Sequence, residues 1–136
     1  MSLKNRHRKF RPPLPELRRA VSAWRGLLPI RLEELSIVFL DDAEMANWHG
    51  RLSDDPTPTD ILTLDYGEGS AEILISLDTA KRQAVENGNT FIRELRLYLA
   101  HGLLHLSGYG DKTAPQRKKM RAAEKRLLAN KSIAAP

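Results

Sequence analysis

The sequence predicts an α+β fold, a single compact domain in which a small mixed β-sheet packs with about five helices. Three observations predict it. The chain has 136 residues, enough for one domain with one modest core. Several segments repeat apolar residues at three- and four-residue spacing, and short β-branched runs interrupt them. Two of those runs are joined by a connection too short for anything but an antiparallel pair. Apolar residues make up 41% and charged residues 29%, an ordinary globular composition, and no apolar run approaches the roughly 18 residues of a membrane helix.

Residues 1–12 read as a basic N-terminal arm, with Lys4, Arg6, Arg8, Lys9 and Arg11 crowded together. The arm lacks the apolar stretch and cleavage site of a secretory signal, which predicts a cytoplasmic protein with no membrane segment. Pro15 opens a helix whose Leu17, Ala20, Val21, Trp24 and Leu27 share a face. Glu34 to Leu40 is a strand, and Asp41 or Asp42 caps a short helix through about Trp48. His49 to Pro58 is polar and interrupted by Gly50, Pro56 and Pro58, so it reads as a loop. Strands Asp60 to Leu64 and Glu72 to Ser76 follow, joined through the turn-rich 65–70. Leu77 to Glu86 is a helix stopped by Asn87-Gly88. Thr90 caps a longer, central helix running to Ser107, and Gly108 ends it; Ala114 to Asn130 is the last.

The chemistry concentrates on the central helix. There is no cysteine, so a transition-metal site must draw on His, Asp or Glu. Ile92, Leu95, Leu99, Leu103 and Leu106 form one stripe and Glu94, Tyr98, His101 and His105 another. His101 and His105, four residues apart at the C-terminal end of that helix, can reach a single ion. Gly108 then lets the chain fold back, making Asp111 a candidate third ligand that leaves one position for water. Without further information Asp111 is equally well an ordinary turn aspartate. Glu94 lies seven residues, or ~10 Å of helix, from His101 and suits a supporting or capping role better than that of a general base. The net charge of +5 favours a polyanion, with Arg117, Lys118, Lys119, Arg121, Lys125 and Arg126 forming a second basic run in the last helix. Few aromatics are present, which suits contact with a nucleic-acid backbone more than base stacking.

Residues 101–109, His-Gly-Leu-Leu-His-Leu-Ser-Gly-Tyr, resemble the signature of the YbeY family, the bacterial rRNA maturation endoribonucleases. That signature is His-Gly-x-Leu-His-Leu-x-Gly-Tyr followed by Asp-His, and its three histidines bind zinc. Asn47 with Arg51, the segment from Pro58 to Leu64, Ala71 to Ser76, Glu94 and the Met120-to-Glu124 stretch are also similar, so the resemblance covers roughly residues 35 to 127. It implies hydrolysis of single-stranded RNA, with roles in small-subunit rRNA 3′-end maturation and ribosome quality control. It also implies one zinc ion on His101 and His105, and makes Arg51 the functional arginine, able to hold a phosphate with two parallel hydrogen bonds. The third ligand departs from the pattern. Aligned without a gap, the family's Asp-His falls on Gly110-Asp111, which gives a carboxylate in place of the histidine and admits Mn2+ or another divalent ion beside Zn2+. Inserting one residue instead puts Lys112, which cannot coordinate when protonated, at that position.

Two rival readings follow from the same residues. A zinc protease shares the His-x-x-x-His spacing but needs Glu directly after the first His, where this chain has Gly102. A non-catalytic ribosome-associated module with a degenerate metal site would use the basic segments equally well. Metal content together with RNA cleavage separates those classes.

Overall fold

In the computed structural model, which describes residues 1–53 and 60–136, four strands form one mixed sheet in the order β1-β2-β4-β3. β1 is Ser2–Asn5, β2 Glu34–Leu40, β3 Ile61–Gly67 and β4 Ser70–Ser76. β1 and β4 run parallel to β2 on either side of it, and β3 closes the edge antiparallel to β4. The basic segment at the N-terminus therefore carries a strand within it, paired from Ser2 with Ser36 to Asn5 with Phe39. Its short polar sequence has no strand periodicity of its own, and only the waiting edge of β2 makes it extended.

Helices α1 (Leu14–Arg25), α3 (Leu77–Glu86), α4 (Phe91–Leu106) and α5 (Ala114–Leu128) build the main core. Alternation along the strands sends Ile37, Phe39, Ile73 and Ile75 to that core, with Leu95, Leu99 and Leu103 of α4. Val38, Leu40 and Leu74 point the other way and meet Met45 of α2 (Asp42–Ser53) in a smaller cluster. Among the described residues no helix is long and apolar enough to cross a membrane.

Two boundaries differ from the sequence reading. α2 does not stop near Trp48 but continues through Gly50 to Ser53. A helical glycine costs only about 1 kcal/mol against alanine, and Met45 and Trp48 seated on the sheet hold the helix together. Arg51 thus stands on the last turn of a helix, not in a loop. The loop reading of Asp54 to Pro58, and the matching Pro58-Thr59, lie outside the described residues. The β3–β4 connection is also tighter than expected, with only Glu68 and Gly69 between the strands. Both have positive φ, 55° and 78°, as the turn of a two-residue hairpin requires.

α1 starts at Pro13 and Pro15 with no side-chain cap, whereas a side chain fixes the start of each of the other four helices. Asp41 accepts from the Glu44 N–H, Ser76 from Thr79 and Thr90 from Arg93, and Thr113 forms a reciprocal capping box with Gln116. Asp42, the other candidate cap for α2, instead accepts hydrogen bonds from the Ser76 and Thr79 hydroxyls and pairs with Arg82 at 2.8 Å, tying α2 to α3.

Candidate metal centre

α4 lies close against the hairpin because Gly102 has no side chain. A Cβ there would come 2.9 Å from Ile61 Cδ1 and 3.2 Å from Ile73 Cδ1. The position where a zinc protease carries its catalytic glutamate therefore faces an apolar sheet. A carboxylate there would be buried without a partner. The same close approach puts Gly102, the neighbour of His101, against Ile61 at the start of β3.

The three residues expected at the ion converge. Among the described residues, His101, His105 and Asp111 bring ligand atoms within 4.8 Å of one another. Asp111 Oδ2 lies 3.1 Å from His105 Nε2 and 3.5 Å from His101 Nε2. Zinc bonds of about 2.0–2.2 Å in a tetrahedron put neighbouring ligand atoms about 3.3 Å apart, so both distances from Asp111 match that spacing, and the whole set lies within 4.8 Å. The imidazoles stand nearly perpendicular, at 84° with centroids 4.6 Å apart. Gly108, at φ 102°, makes the reversal after α4 that a side chain would strain, and Gly110 passes the Gln116 side chain closely, so the turn delivers Asp111 to the histidines.

A fourth residue completes the arrangement. Glu124 of α5 lies 2.9 Å from His101 Nδ1 and is 12% exposed. Its carboxylate accepts the Nδ1 proton, so His101 Nε2 is the nitrogen left to face Asp111. Burial pushes the His101 pKa down, but the hydrogen bond and charge of Glu124, joined by the charges of Asp111 and Asp60, outweigh it, and the net direction is up. Sequence reasoning assigned Glu124 no role. The signal that could have found it is an acid beside the buried stripe Met120, Ala123 and Leu127, because a carboxylate on that flank needs a partner.

The remaining expectations separate. Glu94 is 1% exposed and accepts from Asn87 Nδ2 at 3.0 Å and Asn89 Nδ2 at 2.9 Å, so it braces the loop between α3 and α4. Both contacts come from side-chain amides, and the cap of α4 is Thr90. Tyr98 is buried between that carboxylate and the site. Desolvation, then the charges of Asp60 and Glu94, raise its pKa strongly against an opposing Arg82. Arg51 is exposed on α2, its guanidinium carbon 5.9 Å from the Trp48 ring centroid. Asp60, just before β3, acts on His101 through its charge.

Residues 16–132 match the family described as endoribonuclease YbeY. The chain belongs to that family. A Myxococcus xanthus relative named endoribonuclease YbeY is 35% identical over 130 residues, covering 86% of this chain and 44% of its own length. A Heliobacterium modesticaldum relative of the same name is 31% identical over 122 residues, covering 77% of this chain and 74% of its own. The chain thus spans less than half of the first relative and about three quarters of the second. A solution structure of a Thermotoga maritima protein superposes with a TM-score of 0.66 at 21% identity over 94% of this chain and 86% of that one, a likeness of fold.

Proposed function

We propose that this chain is a metal-dependent endoribonuclease that hydrolyses single-stranded RNA, with one divalent ion held by His101, His105 and Asp111. The observation that carries the reading is the convergence of two Nε2 atoms on one carboxylate oxygen, at 3.1 and 3.5 Å. Two imidazoles and a carboxylate leave a coordination position open, the pattern of a catalytic ion and not of a structural one. A bound divalent ion would lower the pKa of its water and offset charge on the phosphoryl oxygens. Glu124 orients His101 through its Nδ1 proton, and Arg51 holds phosphate oxygens as a planar fork. The overall step adds a water oxygen to phosphorus and releases a ribose oxygen, with the water protons passing to leaving group and solvent. The acting unit is the whole domain, 1–136, including the basic N-terminal segment.

Family membership supports RNA as the substrate, and with it a role in small-subunit rRNA 3′-end maturation and ribosome quality control in the cytoplasm. Zinc suits the two imidazoles, while the carboxylate of Asp111 makes manganese a better competitor than it would be at a three-histidine site. The test compares metal content and single-stranded RNA cleavage in the wild type and in His101→Ala/His105→Ala. The double variant should stay folded, lose the ion and lose cleavage together. Wild-type cleavage by a metal-free double variant would overturn the reading. Metal binding without any cleavage by the wild type would leave a non-catalytic ribosome-associated module in its place.

A further inference from the structure

α5 carries Arg117, Lys118, Lys119, Arg121, Lys125 and Arg126 against a single acid, Glu124, whose charge is taken up by His101 at 2.9 Å. Arg117 and Arg121, like Arg121 and Lys125, stand four residues apart, so like charges face each other with no acid interleaved. A face built only for solubility mixes the signs. This one instead accepts self-repulsion that a polyanion would relieve.

Two contacts fix where one flank of this helix points. Arg117 donates through Nη1 to the backbone carbonyls of Asp111, at 3.4 Å, and Lys112, at 3.1 Å, so its guanidinium lies against the turn that delivers the proposed third ligand. Glu124 reaches the His101 imidazole. Positions 117, 121 and 124, at steps of four and three, lie along one side of a helix. Arg121 therefore sits on the side of α5 that borders the ion site, between two residues that already touch it, and it is exposed. Lys119 and Arg126 belong to another flank, where Arg126 donates to Ser132 O and both line a cleft against the C-terminal residues.

We propose that Arg117 and Arg121 form a phosphate-binding site next to the ion, gripping the backbone of single-stranded RNA at a phosphate that flanks the scissile one. The proposal rests on the endoribonuclease reading above and adds a path for the strand, along α5 away from the centre. Arginine is suited to the task because its planar fork meets two phosphate oxygens at once. Recognition here is of backbone charge and carries no sequence preference.

The test measures the affinity of the zinc-loaded protein for a short 2′-O-methyl single-stranded RNA, by fluorescence anisotropy over a range of salt. Wild type, Arg117→Ala, Arg121→Ala and the charge-matched Arg19→Ala on α1 are compared, with zinc affinity and RNA cleavage measured on each. A lost single-strand phosphate contact lowers the log–log salt slope by about 0.7, which is about eightfold in affinity at roughly 0.05 M salt and about fourfold at roughly 0.15 M. Arg121→Ala should show that loss with zinc affinity unchanged, and Arg117→Ala should show it too, whereas Arg19→Ala should not. An Arg121→Ala affinity and slope matching the wild type, in a wild type that cleaves RNA, would overturn the phosphate site and leave the endoribonuclease reading standing. An equal loss in Arg19→Ala would reduce the effect to net charge and also overturn it. A wild type that neither binds nor cleaves RNA would sink both.

Discussion

Glu124 gives the sharpest test of how the proposed ion site is supported, because it touches His101 and none of the other ligands. Its carboxylate accepts the Nδ1 proton at 2.9 Å from a position only 12% exposed, so solvent screens the pair weakly. A hydrogen bond with one charged partner in such a place is worth about 1.5–3 kcal/mol. If that energy serves to hold the imidazole in the ligating tautomer, its loss appears in the metal constant, as about 10–100-fold weaker binding. Two substitutions separate orientation from charge. Glu124→Gln keeps an oxygen that can accept from Nδ1 but removes the negative charge, and should lie between the other two forms. Glu124→Leu removes both and should show the full loss. The assay is zinc affinity by competition with a chromophoric chelator, with circular dichroism confirming that each variant is folded. If Glu124→Leu is folded and binds zinc within about twofold of wild type, the carboxylate does not support the ligand and the reasoning fails.

Asp111→Ala should weaken metal binding at least as much as Glu124→Leu, while Asp111→His should keep it and shift preference from manganese towards zinc. Unchanged affinity in the alanine variant would mean that another group, such as His49 or water, completes the site. Arg51→Ala should leave metal content intact and slow RNA turnover on the order of a hundredfold, the scale of removing one donor to a charge that grows in the transition state. Wild-type turnover in steady-state cleavage would return Arg51 to the role of a helix-end cation stacked on Trp48. Asp42 supplies a pH test of the fold. Burial opposes its ionisation, but hydrogen bonds from Ser76, Thr79 and Arg82 and the Arg82 charge prevail and hold its pKa below the usual 3.8. Its contribution is therefore present above that value and lost as pH falls through the lower, folded one. Asp42→Asn should cost on the order of 1–3 kcal/mol near neutrality, and the gap in melting temperature should close in acid; a gap constant with pH would show that the charge contributes nothing.

The sequence by itself determined what depends on neighbours a few residues away. β2 and α3 begin and end where their residues alone place them, because the continuous apolar run from Ile37 to Leu40 and the Ser76 cap with its Asn87-Gly88 stop act within a turn or two. Facing His101 and His105 is likewise a property of one helix, since a spacing of four puts both rings on one side whatever surrounds them. Tertiary structure decided the rest. The strand at Ser2–Asn5 exists because β2 offers it an edge, and α2 passes Gly50 because Met45 and Trp48 are seated on the sheet. Glu124 meets His101 across 23 residues of chain, and only the packing of α5 on α4 sets that distance at 2.9 Å. Asp111 was a turn aspartate or a ligand on equal terms until the reversal at Gly108 and the close passage of Gly110 brought its oxygen within 3.1 Å of His105. A local pattern limits which way a side chain can point. What it meets there depends on segments whose positions are set only when the core closes.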